Sequence, residues 1–202
     1  MRYRKVAGAL LAVACLFGAT TASVAASSAA TQTSAAAMQM SPNQADVEFV
    51  SMMIPHHYQA LVMSQMAPSR SNNDELLALA SRIDVEQSGE ISTMQNWQAW
   101  NGLEVTNAEE AYHHLLMHHP EHAEEMGMAT PEELAQLSAA SGPAFDVLFL
   151  QLMIEHHEGA LDMIVDVLTN GSDFIVQWMA TEMGATQDAQ IEQMEGMLAD
   201  LT

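Results

Sequence analysis

The chain repeats itself, and that repeat constrains its fold more than any other feature. Asp46-Val47-Glu48-Phe49-Val50-Ser51-Met52-Met53-Ile54-Pro55-His56-His57-Tyr58-Gln59-Ala60-Leu61-Val62-Met63 returns 100 residues later as Asp146-Val147-Leu148-Phe149-Leu150-Gln151-Leu152-Met153-Ile154-Glu155-His156-His157-Glu158-Gly159-Ala160-Leu161-Asp162-Met163. Further along, Ala80, Gln87, Ile91 and Met94 reappear at the same offset as Ala180, Gln187, Ile191 and Met194. An offset kept without a gap through two blocks means that one supersecondary unit is used twice.

Each unit reads as a helical hairpin. Phe49, Met53, His56, Ala60 and Met63 fall at spacings of three and four, which puts them on one stripe of a helix, and Phe149, Met153, His156, Ala160 and Met163 repeat the stripe. Leu76, Ile83, Gln87, Ile91 and Met94 mark a second helix ending near Asn101-Gly102. Ser41-Pro42-Asn43-Gln44 supplies an N-cap, a proline at the first helical position and a capping-box glutamine, so helix one is expected to start there. Pro68 and the polar tract 69–73 should close it, and Asn170-Gly171-Ser172 should make the matching turn in the second copy. The prediction is all-α: a four-helix bundle made of two repeated hairpins, 42–101 and 143–201, joined by a crossover, 102–142. That crossover is too long to lack structure, and Asn107 with Glu110 and Thr130-Pro131-Glu132-Glu133 both look like helix starts.

Charge is distributed in a way that separates a leader from a domain. Arg2, Arg4 and Lys5 precede an apolar run from Val6 to Phe17 and a small-residue tract, 19–37, with small-x-small sites at Ser23-Val24-Ala25 and Val24-Ala25-Ala26. Residues 1–26 therefore read as a signal peptide, 27–41 as a flexible linker and 42–202 as the domain of an exported protein, periplasmic or secreted. Cys15, after Ala12-Val13-Ala14, would be the acceptor of a lipoprotein signal, although the residue three before it is alanine rather than a larger aliphatic. The full chain carries 26 acidic against 5 basic residues, a formal charge of −21. Only Arg70 and Arg82 of those cations follow the leader, and no cysteine does. Such a surface repels nucleic acid and anionic lipid and draws in cations. No second apolar run reaches the length of a membrane span.

The paired histidines carry the chemistry. On a helix Met52 and His56, Met53 and His57, and Met153 and His157 each stand four apart, on adjacent turns of one face. His56 and His156 fall nearest the centre of the apolar stripe, with His57 and His157 about 100° round, toward a flank. Thioethers favour Cu(I), imidazole accepts copper and zinc, and hard cations want oxygen cages that these motifs lack. A di-iron centre wants Glu-x-x-His on two helices, and that spacing occurs only at Glu110 to His113. The expected cargo is Cu(I), with Ag(I) as its soft analogue and zinc suited to the histidines alone. Against this, methionine on an apolar stripe is ordinary core filler, and a single buried histidine is usually just a hydrogen-bonded core residue. Two His-His pairs at repeated positions tilt the balance toward a site. Pro55 stands mid-helix, where it frees the Ser51 carbonyl and should kink or bulge the chain just before His56. A third cluster lies in the crossover: His114, His118, His122 and Met126 step by four, with Pro120 standing in the way of that register. It reads equally as a metal-gathering tract or as a solvated patch.

The doubled pattern Asp-x-x-Phe-x-x-x-Met-x-x-His-His-x-x-Ala-x-x-Met, with Gly127-Met128-Ala129-Thr130-Pro131-Glu132-Glu133-Leu134 before its second copy, resembles the DUF305 family of exported bacterial proteins over about residues 46–198. The resemblance implies a ferritin-like bundle and copper binding outside the cytoplasm, with no established enzyme activity. Matched position by position, it implicates Met53, His56, His57 and Met63, and Met153, His156, His157 and Met163. The histidine-rich crossover departs from the family pattern. Taken together, the expectation is a copper-binding protein for sequestration, resistance or delivery to a copper-transport or chaperone partner. Two other classes are a metal-dependent oxidoreductase on the same fold, which would turn over oxygen or peroxide, and a metal-free helical interaction module, whose melting copper would not change.

Overall fold

Asn43 and Asp46 decide where the first described helix begins. In the computed structural model, which describes residues 42–202, the Asn43 side chain accepts from the Asp46 N–H at 3.1 Å and the Asp46 carboxylate accepts from the Asn43 N–H at 2.8 Å. This reciprocal cap starts α1 at Gln44 (Gln44–Ser64). The start expected at Pro42 is thus two residues early, because the box closes on Asp46 and not on Gln44. Ser41, the signal peptide, the linker and Cys15 lie outside the described residues.

Among the described residues seven further helices follow: α2 (Ala67–Arg70), α3 (Asp74–Trp100), α4 (Ala108–His118), α5 (Pro120–Glu125), α6 (Pro131–Ala139), α7 (Pro143–Asn170) and α8 (Phe174–Leu201). Helix α1 runs through Pro55 without a break but stops at Ser64, short of Pro68, which sits in the first turn of the one-turn α2. Asn73 caps α3, and α3 closes on Asn101 ahead of Gly102, whose φ of 68° suits a residue without Cβ. Both expected crossover starts are present. Asn107 caps α4 by accepting from Glu110 N–H, and Thr130 with Glu133 forms a complete capping box for α6.

Two apolar clusters fix how the four long helices lie. One gathers Ala60 and Met63 of α1, Leu76 and Ile83 of α3, Phe145 and Phe149 of α7, and Met194 of α8. The other gathers Phe49 and Met53, Ile91 and Trp97, Ile164 and Val167, and Val176 and Met179. The C-terminal half of α1 therefore meets the N-terminal half of α7, and the same holds for α3 against α8. Each pair is antiparallel, as two copies related by a pseudo-twofold across the helices require. Between the two clusters, at mid-helix, the buried residues turn polar: His56, His57, Gln87, His156, His157, Gln187 and Gln190.

Asp46 also ties the far turn to α1. Its Oδ2 accepts from the N–H groups of Ser172 and Asp173, each at 3.0 Å, while Asp173 accepts from the Trp97 indole at 3.2 Å. The crossover folds back on the hairpins by a tighter device. A Cβ on Gly159 would run into the Met126 carbonyl, and one on Gly127 (φ 71°) would run into the backbone of Glu155. Glycine at both positions lets the loop after α5 lie directly on α7. From there Gln59 of α1 grips Ala129 with two hydrogen bonds, 2.8 Å to its carbonyl and 2.7 Å from its N–H.

Candidate metal centre

Four imidazoles are buried at mid-helix, each 0% exposed. The rings of His56 and His156 stack at 3.7 Å between centroids, with 29° between their planes. This is the point where α1 and α7 cross. His57 and His157 sit to the side, with centroids 6.3 Å and 6.0 Å from their chain neighbours' rings, and each points toward the other helix of its own hairpin. The flank position expected for these two is thus the face that meets α3 or α8.

Every Nε2 has an acceptor for a partner. His56 Nε2 lies 3.0 Å from the Met126 carbonyl, His156 Nε2 2.9 Å from the His56 carbonyl, His57 Nε2 2.8 Å from the Glu90 carboxylate, and His157 Nε2 2.7 Å from Gln190 Oε1. The Gln190 amide is fixed the right way round, because its NH2 donates to Glu86 at 2.7 Å. Carbonyl and carboxylate oxygens only accept, so each ring carries its proton on Nε2. In the rings that burial holds neutral, His56, His156 and His157, Nδ1 then keeps its lone pair, and all four Nδ1 atoms are buried without a hydrogen bond of their own. The Met153 carbonyl lies beside the His157 ring as well. Second-sphere acceptors that set the tautomer and free the other nitrogen are the usual setting of a metal-binding histidine.

Burial keeps three of these rings neutral, those of His56, His156 and His157. It lowers His56 to about 3, with the neighbouring His57 adding to the effect, and it lowers His157 to about 4 against the Gln190 hydrogen bond, which works the other way. His156 is held well below the ordinary value, first by burial and then by His56. Among the described residues no three histidine, cysteine, aspartate or glutamate side chains converge as a ready metal cage. A metal here would have to combine imidazole with thioether sulfur.

The methionines divide. Met53, Met63 and Met153 are fully buried within the two apolar clusters, as core filler would be. Met52 and Met163 are half-buried and pack on a third cluster under the crossover, which contains Met126 and Met128. In the crossover the expected four-step register of His114, His118, His122 and Met126 does not hold. Pro120 ends α4 at His118 and opens α5, with His119 serving both helices as their shared cap. Met126 is buried and its carbonyl faces His56, whereas His114, His119 and His122 line an outer groove to which His118 does not contribute.

Sequence reasoning missed Glu90, Gln190, Glu86 and the Met126 carbonyl. Glu90 and Gln190 each stand 33 residues after the histidine they bind, a matched interval that was available to be read. Gln87 and Gln187 were visible as repeated positions, and both are buried with side-chain amides that make no hydrogen bond.

A duplicated hairpin with buried imidazoles at its centre defines an all-helical protein of two-copy construction. The family model described as a domain of unknown function, DUF305, matches residues 46–198, and the chain belongs to that family. A DUF305 fragment from Deinococcus radiodurans is 31% identical at a TM-score of 0.69, covering 78% of this chain and 97% of that one. CopM in its Cu(II)-bound form is 30% identical at a TM-score of 0.64, covering 78% and 97%. CopM in its Cu(I)-bound form is 29% identical at 0.60, covering 77% and 96%, and CopM has also been solved with silver bound. None of the curated proteins matches the chain.

Proposed function

We propose that this chain is an exported copper-binding protein, holding Cu(I), and Ag(I) in the same way, at Met and His ligands for sequestration, resistance or handover to a copper-transport or chaperone partner. Its four long helices are read as a ferritin-like bundle built by duplication. The observation that carries the function is the set of four buried rings with every Nε2 committed to an acceptor and every Nδ1 buried without a hydrogen bond. Leaving such groups without partners costs about 1–3 kcal/mol each, a cost that a bound cation would relieve. His56, His57, His156 and His157 are the proposed nitrogen ligands. Met52, Met53, Met63, Met153 and Met163 are the candidate sulfurs, of which Met52 and Met163 are the least committed to core packing.

CopM, solved with copper and silver, supports the choice of metal. The leader-like N-terminal pattern supports export, and among the described residues no helix is long and apolar enough to cross a membrane. The site is read as binding rather than catalytic.

Anaerobic titration with Cu(I) tests the reading. The wild type should bind more tightly than a His56, His57, His156, His157 quadruple-alanine variant, with His57→Ala/His157→Ala as a milder pair. Equal affinities would overturn it. Melting curves with Cu(I), Ag(I), Zn(II) and Fe(II) should rise most with the first two.

A further inference from the structure

The crossover histidines remain outside this reading. Helices α4 and α5 close one side of a groove of about 1050 Å3 whose opposite wall is Met52 and Pro55 of α1. Three exposed imidazoles enter it, those of His114, His119 and His122. Pro120 produces this arrangement: by ending α4 it takes His119 off the helical register, so that residues five apart, His114 and His119, come within 5.6 Å between ring centroids on the groove wall, while His118, one helical turn after His114 and 4.8 Å from its ring, does not line the groove. Two imidazoles sharing one ion, with metal–nitrogen bonds of about 2 Å, have centroids roughly 5 Å apart. His122 brings a preset partner, since its Nδ1 faces the Glu125 carboxylate at 3.4 Å, which turns Nε2 outward. Glu110 stands on the same groove wall.

We propose that His114, His119 and His122 form a second metal site, separate from the buried centre, for a divalent cation of borderline softness, Cu(II) first and Zn(II) after it. The donor set decides the ion: imidazoles beside carboxylates and open to water, with Met52 the one thioether on the opposite wall, suit Cu(II) at the top of the divalent affinity order. The pair is already in place, and His122 joins by a rotamer change of the kind exposed side chains make in nanoseconds. The acidic domain raises the cation concentration around this open groove. No ligand is shared with the buried histidines, so the proposal does not depend on them.

Cu(II) titration followed by electron paramagnetic resonance is the test, with circular dichroism to show that each variant remains folded. The first equivalent should show nitrogen hyperfine coupling in the wild type, in His118→Ala and in the buried-pair variant His57→Ala/His157→Ala. In His119→Ala/His122→Ala the affinity should drop roughly tenfold or more. Unchanged affinity in that variant, or loss of the signal in His118→Ala or in the buried-pair variant, would overturn the site.

Discussion

A buried neutral histidine is a pH-dependent element of stability, and this protein has several. In the unfolded chain an imidazole takes up a proton below about pH 6.5. In the folded chain His157 stays neutral down to about 4 and His56 down to about 3, and His156 is also strongly depressed. Between those values the unfolded state holds more protons, so stability is full above pH 6.5 and falls as pH drops, by about 1.4 kcal/mol per pH unit for each such ring. Urea denaturation from pH 7.5 to pH 4.5 should show this slope and net proton uptake on unfolding; a flat profile would contradict the neutral-ring assignment. Gly159 makes a second prediction. Its substitution by alanine drives Cβ into the Met126 carbonyl, a backbone group that cannot swing aside, and should cost about 2 kcal/mol or more while loosening the loop that supplies His56 with its acceptor. Hydrogen exchange at residues 126–129 and a denaturation curve check both parts. Glycine at 159 departs from the Gln59 of the first copy, and only the fold reveals that a crossing backbone requires it.

At the level of elements, the caps were legible because capping is local chemistry. Asn107 to Glu110 and Thr130 to Glu133 work within a single turn, and both helices begin where those residues stand. Asn43 was harder, because its partner Asp46 is shared with the turn at Ser172 and Asp173, far away in sequence. Asp46→Ala should remove the α1 box and the anchor of the α7–α8 turn together, lowering stability by about 3 kcal/mol in urea melts, with Asp46→Asn losing less. The repeat-equivalent Asp146 is also buried, yet its Oδ1 lacks a partner, so Asp146→Asn should be the milder of the two equivalent changes. Pro120 shows the limit of periodicity: a four-step histidine pattern was present in the sequence, but a helix that stops at His118 cannot carry it onward.

The whole molecule is dominated by charge and by its internal symmetry. Residues 42–202 carry all 26 carboxylates and two arginines, so raising the salt concentration should raise the melting temperature by screening self-repulsion, measurable by calorimetry at low and physiological ionic strength. The sequence by itself determined the duplication, the helical class, the turn of the second hairpin and the identity of the buried His-His pairs. All of these follow from spacing along one chain, which covalent periodicity preserves. The tertiary structure alone decided which nitrogen of each ring is committed, which methionines are core, and which crossover histidines share a groove. Those depend on contacts between residues as far apart as His56 and Met126 or His57 and Glu90, and no local pattern fixes where such partners meet.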